Sequence, residues 1–251
     1  MKNFILLLLF FPLISAAQTR EQQIADSIKY KKAAWAAFDR KDYKECIDDY
    51  TALIKLNPKN INAYANRASA KTYLNDNEGA IADYGVAAKL DDRYRWTYYN
   101  SIGNLKLSND LKGAIDYYDK SISIYPSDGT FANRGNAWLR MGKYKRAIKD
   151  YTKAIDLQNI DTTKYHYNPT ARSYHYTARA KAEALNGDFK GALADLNTSI
   201  RLKSGDTLTY NARGEAKNQL GDKAGACADW QTASKLGSKA ANENIKKYCD
   251  K

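Results

Sequence analysis

Few residues in this 251-residue chain are of types that do chemistry, and their spacing assembles little. The two histidines, His166 and His175, lie nine residues apart with no cysteine beside them, so a metal held there would need ligands from elsewhere. Both are flanked by tyrosines, which fits surface histidines of a loop better than a metal centre. The three cysteines, Cys46, Cys227 and Cys249, cannot all be paired within one chain. Adjacent carboxylates such as Asp48-Asp49 and Asp91-Asp92 point to different sides of a helix and do not converge for acid–base work. No Ser–His–Asp or Cys–His set, no phosphate-cradling glycine loop and no His-Glu-x-x-His pattern can be traced. The expectation is a protein that is not an enzyme, with no metal and no cofactor.

The charged residues carry more information. Arg67, Arg134, Arg179 and Arg213 each stand sixteen residues before an aspartate, namely Asp83, Asp150, Asp195 and Asp229. At one further position of the same series Ser101 and Tyr117 replace both partners together, and at another Ala33 stands before Asp49. A guanidinium offers two parallel N–H groups to one carboxylate, which suits a partly buried contact. The joint absence favours structural salt bridges between neighbouring helices over a ligand site. Such pairs fix helix register whether or not they add net stability.

Residues sixteen apart meet only if the chain folds back on itself at a regular interval, and such an interval is written in the sequence. Ala80-Ile81-Ala82-Asp83-Tyr84 returns as Ala114-Ile115-Asp116-Tyr117-Tyr118, Ala147-Ile148-Lys149-Asp150-Tyr151 and Ala192-Leu193-Ala194-Asp195-Leu196. Degenerate copies begin at Cys46 and Ala226, and the successive steps are 34, 34, 33, 45 and 34 residues. A period of this length describes a stack of supersecondary units, each too small to bury its own apolar face. Each period splits into two helical segments at Asn75-Asp76-Asn77, Ser108-Asn109-Asp110, Met141-Gly142-Lys143, Asn186-Gly187-Asp188 and Leu220-Gly221-Asp222. Gly or Asn there ends one helix in the left-handed region, and Asp caps the next.

On these residues the chain resembles the tetratricopeptide-repeat family over residues 20–251. The fourth unit carries the pattern most fully, through Phe131, Gly135, Trp138, Gly142, Tyr144, Ala147, Tyr151 and Ala154. The first departs from it with Ala33-Ala34 and Ala37 but keeps Tyr43, Tyr50, Leu53 and Pro58. The resemblance implies an all-α, right-handed superhelical solenoid of about six helix-turn-helix repeats with a C-terminal capping helix. The repeats fall at about 27–60, 61–94, 95–127, 128–160, 173–206 and 207–238, with an insertion at about 159–170 and a cap at about 238–250. The cap presents Ala241, Ile245, Tyr248 and Cys249 on one face. At the other end, extending the first helix back through Ile24 and Ile28 is the expected N-terminal cap.

Residues 1–17 read as a signal peptide: Lys2, an apolar run from Phe4 to Ile14, then Ser15-Ala16-Ala17. The run is short of the ~20 residues a membrane-spanning helix needs. The implied mature chain, residues 18–251, has no transmembrane segment and belongs in a periplasmic or secreted setting. Its 39 Lys and Arg against 28 Asp and Glu leave a charge of +11. Export and the dispersal of these cations among acids argue against nucleic acid as a partner, while anionic surfaces or acidic proteins suit the charge.

The family resemblance also implies a binding surface on the concave side of the first helices of each pair. Trp35, Phe38, Tyr73, Trp96, Tyr99, Lys106, Arg140, Tyr174 and Lys181 are the candidates for peptide binding, the alternative being that the aromatics pack between neighbouring helices. Cys227 occupies a slot that in repeats faces the next unit, here the cap carrying Cys249, so a disulfide between them is expected, two separate buried thiols being the alternative. Cys46 is expected as a buried thiol. The function these features imply is an exported, non-catalytic scaffold binding a protein or peptide partner. The second reading is a module of a larger envelope assembly held by its charge to anionic polymer or lipid.

Overall fold

The computed structural model describes the backbone of residues 5–160 and 168–249, and the side chains of residues 19–158 and 168–249. Thirteen α-helices and no strand occur among the described residues. They are α1 (Ile5–Asp39), α2 (Tyr43–Leu56), α3 (Ile61–Tyr73), α4 (Asn77–Leu90), α5 (Arg95–Lys106) and α6 (Leu111–Ile124). There follow α7 (Asp128–Arg140), α8 (Tyr144–Ile160), α9 (Pro169–Leu185), α10 (Phe189–Leu202), α11 (Thr207–Gln219), α12 (Lys223–Lys235) and α13 (Lys239–Tyr248). The helices belong to two compact units, with the boundary after Leu105 near the end of α5.

The local chemistry of the breaks explains why the helices end where they do. Asn75 has φ 61°, and Gly187 and Gly221 have φ 88°, the left-handed turn that stops a helix without a Cβ penalty at glycine. One residue later an aspartate caps the next helix: Asp76 Oδ1 accepts from the Gly79 N–H at 2.9 Å, and Asp222 Oδ1 from Gly225 at 2.9 Å. Between pairs, Asn60, Ser127, Asp206 and Ser238 cap α3, α7, α11 and α13 in the same way. α8 has 17 residues where α10 has 14, so the chain inserted before residue 170 begins by lengthening that helix. Asn168 then caps α9, with Pro169 in its first turn, where the missing N–H costs nothing. The rest of the inserted segment, residues 161–167 with His166, lies outside the described residues.

In the first unit α1 and α2 pack around Ala34, Ala37, Cys46, Tyr50 and Leu53, and α3 joins them through Ala63 and Ala70. Ile24 and Ile28 lie on α1 as the expected N-terminal extension requires, yet they are 54% and 52% exposed. The helix extends, but among the described residues these side chains stay about half open to solvent. No helix among the described residues is long and apolar enough to cross a membrane.

The second unit buries Ala114, Tyr118 and Ala137 in one cluster, Ala147, Tyr151 and Ala182 in the next, then Ala192, Leu196 and Ala216. Its last cluster is Ala226, Trp230, Ala233 and Ala241, against which Ile245 and Cys249 of α13 pack. Alanine recurs because it lets helix axes approach, and large rings from α8 and α12 fill what remains. Trp230, 1% exposed, lies against Gly214 of α11 so closely that a Cβ there would sit 2.5 Å from its Nε1. Gly214→Ala is therefore expected to lower stability by roughly 1–3 kcal/mol through overpacking. Gly85→Ala, mid-helix with open space around it, should raise stability by roughly 0.5–1 kcal/mol. Urea midpoints for the two variants check this, and a Gly214→Ala midpoint equal to that of the parent would refute the packing account.

Candidate functional site

Four arginines organise the helix pairs. Arg67 of α3 donates from Nε and Nη2 to the two carboxylate oxygens of Asp83 on α4, at 2.9 and 2.7 Å. Arg134 does the same to Asp150 at 2.8 and 2.7 Å, Arg179 to Asp195 at 2.7 and 2.8 Å, and Arg213 to Asp229 at 2.9 and 2.6 Å. The aspartates are buried and the arginines mostly so, which makes each a forked, charge-assisted contact shielded from water. The remaining nitrogen, Nη1, reaches back to the preceding pair: Thr51 for Arg67, Asp119 for Arg134, Thr152 for Arg179 and Asn197 for Arg213. Each acceptor stands two residues after the aspartate position of its own pair. Where Ser101 takes the arginine position, the preceding pair offers Gly85, which has no side chain to accept a bond. The backward link was not read from the sequence; polar residues recurring at that offset were the signal for it.

Two further pairs depart from this pattern. Lys71 and Lys217 add a second cation at 2.8 Å from Asp83 and Asp229, but at the equivalent place in α9 stands Glu183. Its Oε2 is buried without a hydrogen-bond partner, and burial, reinforced by the Asp195 charge, pushes its carboxyl up to about 7. In the first pair Ala33 leaves Asp49 without an arginine. One of its carboxylate oxygens is buried and unpartnered, and burial with the nearby Glu45 and Asp48 charges raises its pKa.

The second unit contains a groove of about 950 Å³ opening among α7, α9, α11 and α13. Its floor includes Tyr151, Leu196 and Trp230, and its rim carries Tyr174, Leu185 and Leu208, which are 51%, 50% and 73% exposed. Amides are spaced along it. Asn136 accepts from the Tyr151 hydroxyl at 2.7 Å and donates to Tyr174 at 3.1 Å. Asn244 of α13 donates to Asn211 of α11 at 3.4 Å, and Asn211 donates to Glu215 at 2.7 Å. Lys181 and Lys203 bring positive charge, Asp206 and Glu215 negative. Apolar sockets interleaved with amide donors and acceptors suit an extended peptide, whose backbone needs partners and whose side chains need cover.

The nine residues expected as a peptide surface are divided between the units: Trp35, Phe38, Tyr73, Trp96 and Tyr99 belong to the first, and Lys106, Arg140, Tyr174 and Lys181 to the second. Tyr174 and Lys181 line the groove. Trp35 and Phe38 line a separate, smaller cavity in the first unit, and Tyr73 stacks on Tyr43 at 4.5 Å beside Phe38. Lys106 is paired with Asp110 at 3.0 Å, and Arg140 Nη1 donates to the Leu107 carbonyl, so both cations serve the fold. Trp96 and Tyr99 are half-buried on α5 and line neither cavity. His175 is no surface histidine. It is 4% exposed on α9 with Nε2 at 3.4 Å from Asp128, whose carboxyl this contact holds down at about 2. Among the described residues no cluster of three or more His, Cys, Asp or Glu is arranged to hold a metal. Cys227 and Cys249 are joined by a disulfide with Cα atoms 5.9 Å apart, tying α13 to α12. Cys46 is a buried thiol whose pKa burial pushes up to about 11.

Removing Arg134 strands Asp150 in the interior and frees Asp119, so Arg134→Ala should cost ~3 kcal/mol. The double variant Arg134→Ala/Asp150→Ala should cost less than the sum of the two single changes, and strict additivity in denaturant titrations would remove the pair from the account. For Glu183 the folded pKa lies above the ordinary glutamate value of 4.5, so its stabilising contribution is complete below that value and lost as pH rises through about 7. Glu183→Gln should accordingly match the parent in melting temperature at acid pH and exceed it above neutrality. A difference between the two that stays flat from about pH 5 to about pH 8 would sink this reading.

The tetratricopeptide-repeat family model matches residues 130–159, within α7 and α8. Human DnaJ homolog subfamily C member 7 is 33% identical over 171 residues, covering 64% of this chain and 34% of the human protein. Small glutamine-rich tetratricopeptide repeat-containing protein 2 of Mycosarcoma maydis is 28% identical over 108 residues, covering 43% of this chain and 31% of the fungal protein. The chain thus spans about a third of the length of these curated relatives. Among solved structures, the C-terminal part of a TPR repeat-containing protein from Cytophaga hutchinsonii superposes with a TM-score of 0.66 at 18% identity, over 86% of each chain. YrrB, described as a TPR protein with an unusual peptide-binding site, superposes with a TM-score of 0.61 at 19% identity, over 79% of this chain and 97% of that one. These likenesses mark residues 130–159 as a tetratricopeptide repeat and give the chain the paired-helix fold of tetratricopeptide-repeat proteins.

Proposed function

We propose that this protein is an exported, non-catalytic scaffold that holds an extended segment of a partner protein in the groove among α7, α9, α11 and α13. The observation that carries the reading is the groove itself: about 950 Å³ in volume, with exposed Leu208, Leu185 and Tyr174 on its rim and asparagines along its walls. Its volume falls in the range of true binding cavities, and rim side chains of this size exposed together mark an interaction surface. The amides Asn211 and Asn218 sit about two turns apart on α11, a spacing that lets a backbone be held at two points while its side chains enter the apolar sockets. YrrB, of the same fold, is described as having a peptide-binding site, which supports this class of ligand. Export rests on the leader-like residues 1–17, and the Cys227–Cys249 bridge suits an oxidising compartment.

Screening the full chain against a displayed library of random dodecapeptides tests the reading. Enriched peptides should carry apolar residues, bind with micromolar affinity, and lose about tenfold or more on Leu208→Glu or Asn218→Ala. Peptides that bind both variants as well as the parent would place recognition elsewhere. N-terminal sequencing of the chain recovered from producing cells should begin near Gln18, and an intact Met1 terminus would end the export component.

A further inference from the structure

The smaller cavity, in the first unit, has a different chemistry from the groove. It measures about 300 Å³ and is lined by Trp35, Phe38 and Asp39 of α1, Tyr50 of α2, and Asn66 and Ser69 of α3. Three of the six are aromatic and one is a carboxylate; none is basic. In a chain of net charge +12, a cavity lined by rings and an acid with no cation is locally reversed. The basic neighbour in sequence, Arg40, is engaged at 2.9 Å by Glu45 and does not serve Asp39.

The walls are held in place. Phe38 meets Tyr43 edge-on at 5.5 Å and Tyr73 at 5.6 Å, while Tyr43 and Tyr73 stack at 4.5 Å. Tyr50 is 4% exposed and its hydroxyl is bonded to Asn66. Ser69 shares a hydrogen bond with Tyr84 at 3.1 Å. Trp35, by contrast, is 58% exposed and leaves its ring available at the mouth.

The geometry points to a subsite for a cationic side chain, a lysine or arginine of a partner segment. Ring faces carry partial negative charge and attract a desolvated ammonium or guanidinium, and Asp39 supplies the full counter-charge at the same mouth. An anion would meet the same rings and carboxylate with repulsion, and an aliphatic side chain would gain the rings but leave the carboxylate without a partner. This site is independent of the groove in the second unit, so either can fail without the other.

Titrating the isotope-labelled full chain with N-acetyl-argininamide, N-acetyl-lysinamide and tetramethylammonium, and following amide and indole resonances, tests the assignment. Saturable shifts are expected at the Trp35 indole and at Asn66 and Ser69, with N-acetyl-leucinamide and N-acetyl-glutamate producing none there. Asp39→Asn, a change at an exposed position, should weaken the cations about fivefold, and Trp35→Ala should remove the response, with folding checked by circular dichroism. Equal shifts from the leucine and arginine probes would overturn the proposal and leave an apolar pocket. Unchanged affinity in Asp39→Asn, or no shift with any cation, would overturn it as well.

Discussion

The forked contact between an arginine on the first helix of a pair and an aspartate on the second is the constraint on which the repeated register depends. Alanine seams are permissive: small residues let helices slide and rotate against one another with little change in buried area. A guanidinium locked to both oxygens of one carboxylate is not permissive, because its two N–H vectors fix distance and direction together. Arg67, Arg134, Arg179 and Arg213 make this contact within a pair and spend their third nitrogen on the pair before. One side chain therefore sets two relationships, helix to helix and pair to pair. Its energetic sign is a separate matter, since desolvating both charges offsets much of their attraction.

Deviations from that scheme mark where the molecule differs along its length. The pair holding Ser101 has dispensed with the arginine altogether. Asp49 keeps the carboxylate without the cation, and Glu183 adds a carboxylate where other pairs add a lysine. The last two leave buried oxygens without hydrogen bonds, and both carboxyls are shifted towards the neutral form. The two cavities are unlike as well: aromatic rings with an acid in the first unit, and amides, leucines and charges of both signs in the second.

Much of the fold is legible in the sequence because a repeat writes the same geometric instruction several times. The breaks near Asn75, Gly142, Gly187 and Gly221 are visible from residue type alone, since few residues tolerate the left-handed region. The sixteen-residue arginine–aspartate interval is visible for the same reason, and the structure places those atoms 2.6–2.9 Å apart. The proposed binding surface is less legible. It depends on which side chains are already committed, and Lys106, Arg140 and Phe38 are drawn into local contacts that helical phase does not reveal. Leu208 and the asparagines of α11 and α13 carry no such signal, because nothing in their type separates them from ordinary solvent-facing residues. Only the convergence of four helices makes them a wall. His175 shows the opposite error, a residue of surface-like type whose tyrosine neighbours gave no hint of its partner Asp128, 47 positions away.

The sulfur bridge from α12 to the final helix has a mechanical meaning. A pull on the backbone beyond Cys249 passes through the Cys227 side chain directly into α12, so it never loads the apolar seam under α13. Peeling, in which an end helix is stripped turn by turn at low force, is closed to this terminus for as long as the sulfurs stay joined. Tension applied there instead enters α12 at Cys227, and the residues between the two sulfurs lie off the covalent load path.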